Sequence, residues 1–219
     1  MLELEKVRIN IHGFTILRDV SLVVPSKQIV GLVGRNGAGK TTTLKGIMGL
    51  VDVRSGAIWL DGRDLLRTPA HERARLGIGY VPEDRRLIGP LTVEENILLP
   101  AWAGAGDGHG QRLDRVYHLL PEVKELADQR AAQLSGGQQK LVALARALIS
   151  GTRLLLLDEP FEGLAPALAR RFANTLTILQ DRGLAVLVAE SDPQPISSLA
   201  DTIYTIERGE ILESREESE

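Results

Sequence analysis

Residues 34–41 read Gly34-Arg35-Asn36-Gly37-Ala38-Gly39-Lys40-Thr41. This fits the spacing G-x-x-x-x-G-K-[ST], between an apolar run and a segment of helical spacing. Glycines at these places let the backbone curl so that successive N–H groups point at phosphate oxygens. A helix beginning at the end of the loop adds a favourable dipole. Lys40 supplies a cation for β- and γ-phosphates, and the Thr41 hydroxyl a ligand for Mg²⁺. Thr42 follows in the same first turn.

A second group of residues is acidic. Leu154-Leu155-Leu156-Leu157 reads as a strand with both faces covered, and it delivers Asp158 and Glu159 at its C-terminal end. Ligands of open α/β sheets bind at that end. Asp158 suits the hydration shell of Mg²⁺, and Glu159 suits the polarisation of an attacking water. A third group, Leu134-Ser135-Gly136-Gly137-Gln138-Gln139-Lys140, ends 18 residues ahead of Asp158. Ser135 and the glycines open another helix start able to grip an anion.

The phosphate loop and this Ser-Gly-Gly-Gln segment together resemble the signature of ATP-binding cassette (ABC) ATPases. The likeness runs over nearly the whole chain. It implies binding of ATP and Mg²⁺ in a head-to-tail pair of cassettes. Gly34, Arg35, Asn36, Gly37, Ala38, Gly39, Lys40, Thr41 and Thr42 of one chain would hold the nucleotide. Ser135, Gly136, Gly137 and Gln138 of the other would cap its γ-phosphate. Thr41, Asp158 and Glu83 would face the metal, and Glu159 would activate water. The second cassette is the same or a different chain. Further partners implied are transmembrane permease subunits, docked through the helical insertion, and indirectly a solute-binding protein. The site of action would be cytoplasmic, on the inner face of the cell membrane. Asn36–Thr43, Val81–Arg86, Leu91–Asn96 and Asp158–Pro166 are most similar to subunits serving branched-chain amino-acid or urea uptake.

Three positions depart from the family pattern. His12, with Phe14 as the other candidate, stands where a Tyr commonly stacks on adenine. Glu83 stands where a Gln normally touches Mg²⁺ and water. Ser191 follows Glu190 where a switch His normally contacts the γ-phosphate. A hydroxyl brings a shorter arm and no charge, which lowers turnover if that contact matters. An alternative is therefore a weakly hydrolysing regulatory subunit paired with a different cassette. A third reading, a soluble ABC ATPase acting on DNA or ribosomes, sits poorly with the charge balance.

The elements that must position these residues alternate along the chain. Leu2–Ile11 and Leu17–Val24 read as strands, then Gln28–Val33, a helix over Thr41–Leu50 and a strand over Ala57–Leu60 ending in the Asp61-Gly62 turn. A short helix over Pro69–Leu76 and a strand over Gly77–Val81 follow. Thr92 with Glu95 reads as a capping box. Gly104–Gly110, with four glycines in seven residues, reads as a flexible loop. Leu113–Leu126 and Gly136–Ile149 carry helical periodicity, and residues 84–147 read as a helical subdomain inserted in one domain spanning 1–219. Later come strands at Arg153–Leu157 and Leu184–Ala189, helices at Ala167–Gln180 and Pro193–Leu199, and a hairpin about Arg208-Gly209. The tail Glu213–Glu219 reads as frayed. The fold class is an α/β phosphate-loop NTPase core with an N-terminal antiparallel β subdomain.

Composition bounds the rest. The chain has 219 residues, 43% hydrophobic and 25% charged, within the globular range. Lys and Arg number 26 against 29 Asp and Glu, a net charge of −3, which argues against a nucleic-acid partner. Cysteine is absent, which removes thiol catalysis and thiolate metal sites. No apolar run approaches the roughly 18 residues of a membrane span. His71, His109 and His118 lack metal-ligand spacing, and Trp59 and Trp102 read as packing residues.

Overall fold

The computed structural model describes residues 1–103 and 109–216. Strands β1 (Leu2–Ile11) and β2 (Phe14–Val24) form an antiparallel hairpin. Its turn is His12-Gly13, both at positive φ (49° and 84°). That turn extends β2 three residues earlier than the apolar pattern predicts, because exposed Phe14 and Thr15 pair through backbone alone. β4 (Val53–Leu60) joins the other side of β1, and the two-residue β5 (Arg63–Asp64) closes a four-stranded sheet across the expected Asp61-Gly62 turn.

The second sheet has six strands in the order β10-β9-β3-β8-β7-β6. These are β3 (Ile29–Val33), β6 (Ile78–Val81), β7 (Leu154–Asp158), β8 (Ala185–Glu190), β9 (Thr202–Glu207) and β10 (Glu210–Glu216). All neighbours pair in parallel except β10, which returns antiparallel on β9 through Arg208-Gly209. Every residue of β3, β7 and β8 is buried. Alternate side chains explain this, since the strands feed two cores. Val33, Leu155, Leu157, Val186 and Val188 face one core. Val30, Leu32, Leu154, Leu156 and Leu187 face the other.

The second of these cores lies between the parallel sheet, the antiparallel sheet and α1 (Lys40–Met48), whose Leu44 and Ile47 are fully buried. On the opposite face pack α3 (Val93–Trp102), α6 (Gly136–Ser150) and α7 (Pro166–Asp181). Helices α4 (His109–Leu119) and α5 (Pro121–Lys124) lie between α3 and α6 in sequence, and Val116, Tyr117 and Val123, with Leu120 between the two helices, join the same core. The helical stretch therefore shares its core with the sheet. A one-turn helix, α2 (Ala70–Arg73), leads through a 3₁₀ turn into β6.

Several expectations need correction. Leu113–Leu126 is not one helix: Pro121 lacks the N–H to continue α4 and instead starts α5 at its first turn. Pro193–Leu199 forms consecutive turns, not a helix, because Pro193 and Pro195 remove two donors in three residues. The tail is paired through Glu216, since an edge strand needs only backbone partners and tolerates charged side chains. Trp102 is 56% exposed at the end of α3 rather than packed. The glycine-rich loop falls on residues 104–108, outside the described residues, except that His109 and Gly110 begin α4. The capping box at Thr92 is present, with Glu95 N–H donating to Thr92 Oγ1 and Thr92 N–H to Glu95 Oε2.

Candidate active site

The loop between β3 and α1 is held open by glycine. A Cβ on Gly34 would lie 2.3 Å from the carbonyl oxygen of Ile206, and Gly39, the N-cap of α1, sits at φ 119°. No side chain caps α1, so its first N–H groups remain available to a ligand. The β9–β10 hairpin holds the loop from outside: Gly209 N–H donates to Ala38 O at 2.8 Å, and Arg18 N–H to Gly209 O at 2.7 Å.

Lys40 Nζ is 5% exposed and turned inward. It donates to Gly34 O at 2.6 Å, Arg35 O at 3.3 Å and Ser191 Oγ at 3.0 Å, and it pairs with Glu159 Oε1 at 3.1 Å. Ser191 holds the same carboxylate twice. Its N–H donates to Oε2 at 3.0 Å, and its Oγ lies 2.6 Å from Oε1 and 2.8 Å from Asn36 Oδ1. Glu159 itself has φ 50°, the left-handed region, fixed by its N–H donating to Ala189 O at 2.9 Å. Thr41 Oγ1 donates to Asp158 Oδ1 at 3.1 Å. The other oxygen, Asp158 Oδ2, is buried with no hydrogen-bond partner among the described residues. A buried acceptor in that state fits a hard cation, and Mg²⁺ characteristically takes one or two protein oxygens plus phosphates. Glu83 lines a small pocket together with Asp158 and Glu159.

The acids titrate apart. Burial pushes Asp158 up to about 6, against the hydrogen bond from Thr41. Burial would also raise Glu159, but hydrogen bonds from Glu190, Ser191 and Lys40 outweigh it and hold Glu159 below the usual carboxylate range. Glu190, 3% exposed, is pushed up to about 8 by burial and by its hydrogen bond to Glu159. The shared proton therefore sits on Glu190 and the charge on Glu159.

At the head of α6, Ser135 is the N-cap in a second capping box: Gln138 N–H donates to Ser135 Oγ at 3.3 Å and Ser135 N–H to Gln138 Oε1 at 2.9 Å. Ser135 and Gly136 are exposed. Among the described residues no hydrogen bond joins Ser135–Gln138 to the phosphate loop. Their link to it runs through Lys140, buried on α6, whose Nζ donates to Glu159 O at 2.7 Å and to Glu162 O. His12 lies exposed in the β1–β2 turn, and Phe14 is 75% exposed beside it.

A phosphate loop, a strand-end acid pair and an exposed Ser-Gly-Gly helix start on one sheet core form a recognisable set. The family description "ABC transporter" matches residues 17–162, two-thirds of the chain. The chain belongs to the ABC transporter ATPase family. As such it binds and hydrolyses ATP, and it pairs with transmembrane permeases and a second cassette. The high-affinity branched-chain amino acid transport ATP-binding protein BraG of Pseudomonas aeruginosa is 38% identical, over 97% of this chain and 91% of its own. The lipopolysaccharide export system ATP-binding protein LptB of Haemophilus influenzae is 37% identical, over 90% and 83%. A dimeric bacterial ABC transporter cassette of known structure superposes with a TM-score of 0.89 at 25% identity, over all of both chains. The expected ABC cassette fold is thus present. Among the described residues no helix of this ABC ATPase is long and apolar enough to cross a membrane.

Sequence reasoning did not single out Glu190 or Lys140 as site residues. Glu190 had one usable signal, an acid closing an apolar strand. Lys140 had none, because its partner Glu159 lies 19 residues away in the sequence.

Proposed function

We propose that the chain is the ATP-hydrolysing subunit of an importer of the branched-chain amino-acid type, acting as a head-to-tail pair of cassettes on the cytoplasmic face of the membrane. The observation that carries the hydrolytic part is the Lys40–Glu159–Ser191 cluster beside Thr41–Asp158 at the C-terminal ends of β3, β7 and β8. The cargo rests on BraG, which resembles this chain over more of its length than LptB does.

In this reading residues 1–219 are one nucleotide-binding domain, with 84–147 its helical subdomain. Lys40 leaves Glu159 for the β- and γ-phosphates, and backbone N–H groups of the loop and of the uncapped start of α1 cradle them. Thr41, Asp158 and Glu83 would hold Mg²⁺, which neutralises charge on the phosphates. Glu159, freed of Lys40 and oriented by Ser191, takes a proton from the attacking water on its carboxylate. The partner's head of α6 closes over the γ-phosphate through Ser135, Gly136 and Gly137. His12 or Phe14 stacks on adenine.

A regulatory reading has one observation in its favour: Ser191 brings no cation to the reacting phosphate, and its hydroxyl is already engaged by Glu159, Asn36 and Lys40. The experiment that separates the two is the steady-state Mg-ATPase rate against protein concentration, with Glu159→Gln as the blank. We expect a rate that rises more than linearly in the parent, with the blank roughly 10²–10⁴-fold slower and trapped as an ATP-dependent dimer. A parent no faster than the blank at any concentration would sink the self-sufficient reading and favour the regulatory one. For the cargo, labelled leucine uptake by vesicles carrying the chain and its permease must depend on ATP. Uptake independent of ATP would remove the importer.

A further inference from the structure

Among the described residues, Asp158 Oδ2 and Tyr80 Oη are both buried without a hydrogen-bond partner. The pairing of β6 with β7 sets them side by side. The strands run parallel with Tyr80 opposite Leu156, and Asp158 lies two residues beyond Leu156 on the same face. That face is the one covered by α1, since Tyr80 and Leu156 pack in one core with Leu44. Thr41, in the first turn of α1, donates to Asp158 Oδ1 at 3.1 Å, so one oxygen of the carboxyl is held and the other is not. Burial pushes the phenol above its ordinary pKa, and the neighbouring Asp158 carboxylate adds to the shift. A second carboxylate near the phenol is Asp84. Arg86 Nε already donates to both oxygens of Asp84, at 3.1 and 3.0 Å. Asp158 is therefore the acceptor left for Tyr80. A phenyl ring would fill the same space in the core, so packing does not account for the hydroxyl, and burying it unpaired costs free energy.

We infer that Tyr80 is a positioning residue of the metal site, its hydroxyl donating to Asp158 Oδ2 while that carboxylate faces the cation. A carboxylate oxygen has two lone pairs, so Oδ2 can take the phenolic proton on one side and face the metal or one of its waters on the other. Thr41 and Tyr80 then hold the two oxygens from α1 and from β6, and the plane of the carboxyl is fixed at both ends. Ligating carboxylates are characteristically held in this way, and the donors that hold them tune metal affinity. A cation beside Asp158 keeps it ionised, which makes the bond from the phenol charge-assisted. Tyr80 touches neither nucleotide nor metal in this arrangement, and its effect passes through Asp158. This role presupposes the reading in which Thr41, Asp158 and Glu83 face Mg²⁺, and it adds one residue to that group.

The test measures equilibrium binding of a fluorescent ATP analogue to the full chain, once in EDTA and once in excess Mg²⁺. The ratio of the two affinities is the gain due to the metal. In Tyr80→Phe the affinity in EDTA stays within about twofold of the parent, while the gain from Mg²⁺ falls about tenfold. Thermal melting in EDTA is not lowered, because the substitution removes a hydroxyl that has no partner there. Asp158→Asn also loses the gain, and the double variant loses no more than Asp158→Asn alone, as two residues acting on one site should. A full Mg²⁺ gain in Tyr80→Phe would overturn the inference. So would an equal loss of affinity in EDTA and in Mg²⁺, a lowered melt in EDTA, or additive losses in the double variant. The metal reading itself fails separately, by an Asp158→Asn variant that keeps the full gain or a parent that binds no tighter in Mg²⁺ than in EDTA.

Discussion

The molecule contains two helix starts suited to a phosphate, and they are prepared in opposite ways. At α1 the N-cap is Gly39, with no side-chain bond, and the loop ahead of it is pinned by β10's hairpin and filled by its own Lys40. At α6 the N-cap is Ser135, its side chain already committed to Gln138, and the surface around it is open. The first start leaves backbone donors free but keeps its cation bound to Glu159. The second satisfies itself locally and leaves Ser135 and Gly136 exposed. Such a difference suits one start that encloses a ligand and one that closes onto a ligand held elsewhere.

The most damaging change should be at the enclosed start. Lys40→Ala removes the loop's cation and leaves Glu159 buried without its ion pair. ATP affinity should fall by two orders of magnitude or more, roughly the loss of a desolvated charge-assisted contact. Equilibrium binding of a fluorescent ATP analogue measures it. Undiminished affinity would erase the distinction between the two starts. Ser135→Ala should behave differently. The chain's own ATP affinity stays within about twofold, the helix loses about 1 kcal/mol of cap, and turnover drops roughly tenfold. Calorimetric melting and steady-state kinetics read the two effects. A parallel loss of ATP binding would mean that Ser135 acts within its own chain.

The same contrast governs what the sequence could reveal. Both helix starts were readable, because glycine spacing dictates local backbone geometry and needs no distant partner. The alternation of strands and the acid pair were readable for a similar reason: buried parallel strands leave long apolar runs. The readings that failed involve tertiary approach or proline. Pro121 and the Pro193–Pro195 pair interrupt patterns whose apolar spacing is still helical. Trp102 is large and apolar, which predicts packing, yet it ends a helix at the surface. Glu190 joins the site only because β8 lies beside β7 and brings its carboxyl against Glu159.

The smallest expected effect concerns that hidden acid, Glu190, whose backbone carbonyl accepts from Gly34 N–H at the start of the phosphate loop. Glu190 titrates at about 8 when folded, well above an exposed carboxyl, because it is buried and shares a proton with Glu159. Between the unfolded value and about 8 the native state holds the extra proton, so stability falls as pH rises through that window. Asp158, raised to about 6, adds to the fall over its lower part. Glu159 is shifted the other way, and its contribution is present above its unfolded value and lost in acid. In Glu190→Gln the amide oxygen can still accept from Phe161 N–H, as Oε1 does at 2.8 Å in the parent, and the NH₂ can donate to Glu159. Thermal melts from pH 6 to pH 9 should show the parent losing a few degrees more than this variant. Parallel curves would mean that Glu190 is already ionised at neutral pH, so that Glu159 sits beside a second charge rather than a proton donor.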